Sequence, residues 1–258
     1  TPLYSSAASD VYKRQIYSYD IFNNSGTFQG AYNTTIPSAI SKAITAGVKV
    51  INNSWGTTTA INARSKSSWE SSYSTSITSY ESLATNNIIS VWAAGNQGAT
   101  QVSFEAGIPH YWTSTADHWI AVVAIDTNGK ETSYTNRCGV AAAWCISAPG
   151  HAIYSVEDDG TYTNMNGTSQ AAPHVAGAIA ILIETFPNLT AKQIVSRLLD
   201  TASTSGLTGY YGESYSEAIF GVGKMDLDKA TKPIAVLGLS VAGTNTSNST
   251  SYTLNSTK

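Results

Sequence analysis

From Ile36 onward the chain alternates between two hydrophobic periodicities. Ile36, Ala39, Ile40, Ala43 and Ile44 recur at helical spacing. Pro37 suits a first helical position and Gly47 the position just past the last, so a helix opening at Pro37 is expected, followed by a strand over residues 48–52. Trp69, Tyr73, Ile77, Tyr80 and Leu83 mark a second helix that ends at the Asn86-Asn87 turn. Residues 88–94 and 119–125 are apolar runs without polar alternation, the pattern of parallel strands covered on both faces. Asn128-Gly129 reads as a tight hairpin turn leading into a strand over 131–134. Residues 171–186 are apolar nearly all round, as in a helix buried mid-domain. Thr190 and Gln193 form a capping box that opens a helix burying Ile194, Val195, Leu198 and Leu199. Strands separated by helices imply right-handed crossovers, hence a three-layer αβα sandwich with a mostly parallel sheet.

The buried helix begins with an unusually polar turn, Asn166-Gly167-Thr168-Ser169-Gln170. At a helix N-terminus the unpaired N–H groups and the positive end of the macrodipole can stabilise negative charge developing on Ser169. Gly167 lets a substrate backbone approach. The plainer alternative is a Gly/Ala-rich packing helix that its serine merely caps.

The run from Gly167 through Ala171-Ala172-Pro173-His174-Val175-Ala176-Gly177 resembles the serine motif of the subtilisin-like serine peptidases, the subtilases. The hydrolase elbow Gly-x-Ser-x-Gly fits less well, because Ala171 stands at its second glycine. The resemblance implies that Ser169 is a nucleophile for peptide hydrolysis. It implies further that Asn96, in Ala93-Ala94-Gly95-Asn96, forms an oxyanion hole with the Ser169 backbone N–H. Ser54-Trp55-Gly56 resembles the strand end that pairs with an extended substrate, and with Ala93-Ala94-Gly95 it would wall the primary specificity pocket. Ala106-Gly107-Ile108-Pro109 resembles the loop at the floor of that pocket, with a cis bond before Pro109. Residues 220–230 look like the segment that closes the catalytic domain.

Two triad members have no counterpart. The family carries its aspartate in an Asp-Thr/Ser-Gly turn and its histidine in a His-Gly-Thr-His helix start, both ahead of the Ser-Trp-Gly strand, and neither motif occurs. Asp126-Thr127-Asn128-Gly129 imitates the first but follows Asn96, and Asp20 lacks the glycine turn. His174 belongs to the serine helix, while His110, His118 and His151 lack the His-Gly context. The expectation is therefore a subtilase catalytic domain over residues 16–235, incomplete at its N-terminus and inactive alone. The alternative is a non-catalytic peptide-binding or structural passenger that keeps the groove.

Composition narrows the setting. Charged residues are only 12% of the 258 and net charge is −3, so no basic surface points to nucleic acid. No apolar run approaches the ~20 residues of a membrane-spanning helix. The expected partner is a polypeptide substrate. Cys138 and Cys145 are too few for zinc and too far apart for a Cys-x-x-Cys redox pair, leaving a local disulfide or two buried thiols. The disulfide implies an oxidising compartment. Their context, Asn136-Arg137-Cys138-Gly139-Val140-Ala141 with Trp144-Cys145 and Ala148-Pro149-Gly150, resembles the autotransporter-type branch of the subtilases, which implies export through a bacterial envelope. No cofactor is expected, and calcium, frequent in the family, leaves no readable motif. Residues 1–15 read as a non-native lead-in, with Ser5 to Gln15 resembling translated adapter sequence, and residues 236–258 as a Ser/Thr/Asn-rich tail or linker.

Overall fold

A computed structural model describes residues 16–22, 30–157 and 159–233, with the backbone of two further strands at 236–240 and 251–255. The lead-in assigned to residues 1–15, and residues 241–250 and 256–258 of the tail, lie outside the described residues.

Four strands, β1 (Val50–Asn53), β2 (Ile89–Ala93), β3 (Trp119–Ile125) and β4 (Cys145–Pro149), pair in parallel in the order of the chain. Both faces of this sheet are covered. Ile89, Val91 and Ala93 of β2, with Ile120, Val122 and Ala124 of β3, pack against α3 (Thr168–Thr185) and α4 (Ala191–Asp200). The intervening Trp92, Trp119, Ala121 and Val123 turn the other way, toward α1 (Tyr32–Thr45) and α2 (Lys66–Thr85). Period-two alternation is present, but apolar residues occupy both phases, which is why the sequence shows an unbroken run. The three layers are those the sequence predicts.

Helix ends follow local chemistry. Gly47 (φ +69°) closes α1 by donating to Ile44 O at 3.0 Å, and Val48 N donates to Ala43 O at 3.3 Å, the paired bonds of a Schellman end. Thr190 and Gln193 make both bonds of the capping box on α4. The start of α1 differs from the expectation: it opens at Tyr32, five residues before Pro37. Contacts with α2 hold that extra turn, because Asn33 Nδ2 donates to Ser72 O (2.8 Å) and Ser76 Oγ donates to Tyr32 O (3.2 Å). Tertiary bonds outweigh the local start signal.

Three other expectations change. The turn at Asn128-Gly129 forms, with Asp126 Oδ1 accepting from Asn128 N and Lys130 N, but the strand expected over 131–134 shrinks to one bridge between Ile125 and Glu131. Described peptide bonds are all trans, including the one before Pro109. Pro109 instead sits in a 3₁₀ turn, Ile108–His110, whose φ its ring suits. Finally, β4 and the hairpin of β5 (Ile153–Val156) with β6 (Tyr162–Met165) have no counterpart in the sequence reading. Short helices α5 (Glu217–Phe220) and α6 (Leu227–Thr231) follow, and the backbone of β7 (Val236–Ser240) pairs antiparallel with β8 (Ser251–Asn255).

Cys138 and Cys145 are fully buried and joined, with Cα atoms 5.8 Å apart, across a 3₁₀ turn that leads into β4. Closing so short a loop restricts the unfolded chain modestly. Replacing both with alanine is expected to lower stability by about 2–3 kcal/mol. Urea unfolding at fixed pH measures this, and an unchanged midpoint would assign the pair no stabilising role.

Candidate active site

Three segments meet at the carboxyl end of the sheet: residues 54–57 after β1, 94–97 after β2, and the start of α3. Gly95 adopts φ +110°, and a Cβ there would stand 2.3 Å from Asn136 Nδ2, so only glycine fits. Asn136, almost wholly buried, organises this turn by accepting from Gln97 N and Ala99 N (both 3.0 Å) and donating to Ala94 O (3.1 Å).

Asn96 is then locked to the serine turn. Its Oδ1 accepts from Thr168 N (2.8 Å) and Thr168 Oγ1 (2.9 Å), and Thr168 Oγ1 accepts from Gly95 N (3.2 Å). Holding Oδ1 in this way fixes which end of the amide faces outward. Asn96 Nδ2 makes no hydrogen bond among the described residues. A Cβ placed on Gly167 would lie 3.4 Å from Asn96 Nδ2 and 3.5 Å from Ser169 N. Two donors thus border one small space at Gly167, which Gln170 Oε1 also borders, 2.7 Å from the same point.

Ser54 and Ser169 are joined twice. Ser169 Oγ donates to Ser54 O at 2.9 Å, and Ser54 Oγ donates to Ser169 O at 2.7 Å. The second bond has a cause in the helix. Pro173 has no N–H, so the carbonyl four residues earlier, that of Ser169, has no intrahelical donor and takes one from Ser54. Gly150, after β4, supports the turn from below by accepting from Gly167 N at 2.9 Å.

The cleft in front of Ser169 encloses about 160 Å³. It gathers Trp55, Gly56, Ala93, Gly95 and Asn96 with Ser169, and adds Thr57, Gln97, Ser103 and Thr168. Ser54 ties the walls together, while Ala94 is buried just past the end of β2. Gly107 is not brought into the cleft: it is buried under Ile61, whose Cγ2 would stand 2.3 Å from a Cβ there. Behind Gly56 lies Glu105, fully buried. Its Oε2 accepts from Thr57 N (2.8 Å) and Thr57 Oγ1 (3.2 Å), and its Oε1 from Tyr32 OH (2.9 Å), itself 2.6 Å from Tyr80 OH. Burial pushes the Glu105 carboxyl above its ordinary pKa, and these donors oppose the rise. Burial likewise raises both tyrosines.

No histidine touches Ser169. His174 Nδ1 bonds to Gln170 O at 2.8 Å on the exposed side of α3, His118 lies beside Asp117 and Lys192, and His110 packs on Tyr111. His151 is exposed in the loop before β5. Asp126 serves the turn described above. Among the described residues no three His, Cys, Asp or Glu side chains gather as a metal site, and no helix is long and apolar enough to cross a membrane.

The parallel sheet, the serine at a helix start and the amide beside it define a subtilisin-like α/β protein. The Subtilase family model matches residues 5–223, and the chain belongs to that family of serine-type peptidases. Subtilisin DY of Bacillus licheniformis is 35% identical over 198 residues, covering 77% of this chain and 64% of that protein. Serotype-specific antigen 1 of Mannheimia haemolytica is 32% identical over 206 residues, covering 75% of this chain and 22% of its own length. The chain thus spans less than two thirds of these relatives. Among solved structures, Patellamide maturation protease PatA shares the fold with a TM-score of 0.64 at 22% identity, over 77% of this chain and 67% of its own.

Proposed function

We propose that this chain is the serine-bearing part of an exported endopeptidase, with Ser169 the nucleophile. The base and its orienting carboxylate come from sequence beyond these 258 residues. The observation that carries the reading is the convergence of Asn96 Nδ2 and Ser169 N on the space beside Gly167. Ser169 Oγ attacks the peptide carbonyl, and its proton passes to a histidine. The carbonyl oxygen becomes an oxyanion held by those two donors, and the C–N bond then breaks as the amine takes the proton. Water hydrolyses the acyl-enzyme by the same route.

The open side of the sheet agrees with this. Val50–Asn53 pairs with β2 alone among the described strands, so β1 offers a free parallel edge where a preceding strand can add. The substrate is a polypeptide lying along residues 54–56. Export is supported by the Cys138–Cys145 bridge and the low charge density. The upstream-extended protein is expected to cleave an unstructured protein substrate and to lose that activity on Ser169→Ala. Cleavage that survives the substitution would refute the assignment.

A further inference from the structure

One side chain bordering the oxyanion space has no task in the hydrolysis just described. Gln170 follows Ser169 in the first turn of α3, where its N–H donates to Gly167 O at 3.1 Å. Around the point where a Cβ on Gly167 would stand, Gln170 Oε1 lies at 2.7 Å, Asn96 Nδ2 at 3.4 Å and Ser169 N at 3.5 Å. A larger residue at 167 would push the amide aside, so glycine keeps it beside the two donors. The place is within reach of substrate, because Asn96 is exposed and Ser169 and Gln170 are half-buried. The amide itself is loosely committed. Its Oε1 accepts no hydrogen bond among the described residues, and its Nε2 donates only to Met165 Sδ at 3.5 Å, a thioether and hence a weak acceptor.

Such an amide turns over at little cost. Rotation about its terminal torsion is soft and roughly two-fold, its two ends are alike in size, and the bond given up is the one to sulfur. While the space holds no substrate, a carbonyl end facing two N–H groups is the favoured orientation. The balance reverses when the attacked carbonyl becomes an alkoxide there, because Oε1 repels the charge and Nε2 donates to it. We propose that Gln170 is a third donor to the oxyanion, its amide rotating so that Nε2 replaces Oε1 as the charge develops. The neutral carbonyl of bound substrate gains far less from this donor than the alkoxide does. The interaction therefore belongs to the transition state and raises kcat rather than lowering KM.

This inference rests on the peptidase reading, and its test separates the two. In the upstream-extended protein, Gln170→Met keeps an unbranched side chain of good helix propensity but offers no N–H, and Gln170→Glu keeps the acceptors and adds a charge. Each variant is assayed on one peptide, then titrated with the aldehyde and the alcohol of the same peptide sequence. Ser169 Oγ adds to the aldehyde carbon as its proton passes to the histidine, and the former carbonyl oxygen occupies the oxyanion space. The alcohol fills the groove without forming that bond. For Gln170→Met, kcat is expected to fall about tenfold at unchanged KM, the worth of one hydrogen bond to a charged group. The aldehyde should weaken by the same factor while the alcohol binds as before. Gln170→Glu should lose about tenfold more, since its charge opposes the oxyanion. Unchanged kcat for Gln170→Met overturns the proposal, and so does a fall in KM, which would make the resting amide an obstruction to substrate. Equal weakening of aldehyde and alcohol also overturns it, because a merely structural side chain does that. If the unmutated protein cleaves the peptide and Gln170→Met matches it, the third donor falls and the peptidase reading stands. If the unmutated protein neither cleaves nor prefers the aldehyde, both fall.

Discussion

The 258-residue chain on its own is expected to hydrolyse an unstructured protein about 10⁶-fold more slowly than the same chain carrying its upstream sequence, the scale of losing the triad histidine in subtilisin, a relative. Ser169 Oγ spends its proton on Ser54 O, an acceptor that cannot take it as a base. The His174 ring is bonded to its own helix, and the other three histidines make no contact with the serine. A hydroxyl in that position remains a weak nucleophile at neutral pH. The short chain should therefore resist a serine-directed phosphonate that labels the extended one, and the β1 edge, which pairs with no further described strand, should make it prone to aggregate. Both proteins are assayed side by side, with casein-type turnover and mass-spectrometric labelling as readouts. Efficient turnover by the short chain, abolished by Ser169→Ala, would mean that one of its own histidines reaches Ser169 after a rearrangement.

Much of the scaffold was legible because its signals are local. The capping box at Thr190, the αL position at Gly47 and the apolar run of β3 each specify their own few residues, and each forms where the chain predicts. Expectations failed where distant groups decide. The first turn of α1 depends on Ser72 and Ser76, about forty residues away, and no pattern near Tyr32 carries that information. Likewise, β4 is written in Cys-Ile-Ser-Ala-Pro, too short and mixed to show a period, and it becomes a strand by pairing with β3.

The site divides in the same way. Ser169, Asn96 and the Trp55-Gly56 wall stand in recognisable phrases, and the structure gathers them. The groups that hold them were not readable: Asn136 grips the Gly95-Asn96 turn from forty residues downstream, and Thr168 orients the amide through its own hydroxyl. Ser103 and Glu105 sit among buried apolar residues, where a polar side chain carries no periodic signal. One clue was available for Asn136, since it opens the same phrase as Cys138. For Glu105, a carboxylate between Phe104 and Ala106 is itself an anomaly in so apolar a stretch.

In the upstream-extended protein, Asn96→Asp is expected to lower kcat by about 10²–10³ with little change in KM, a magnitude known for the corresponding donor in subtilisin. This substitution is more telling than alanine. An aspartate keeps an Oδ1 able to accept from Thr168 N and Oγ1, so the serine turn stays in place. What changes is the other end of the side chain, where two N–H donors give way to a second carboxylate oxygen facing the space beside Gly167. That oxygen repels an oxyanion and has little to say to the neutral carbonyl of bound substrate. Loss of transition-state stabilisation alone lowers kcat and kcat/KM together. Asn96→Ala removes the donor and also frees Thr168, so it should add a loss of stability that the aspartate avoids. Steady-state kinetics on one peptide, with thermal unfolding of both variants, separate the effects. A rise in KM at unchanged kcat for Asn96→Asp would assign Asn96 to substrate binding and take it out of the oxyanion hole.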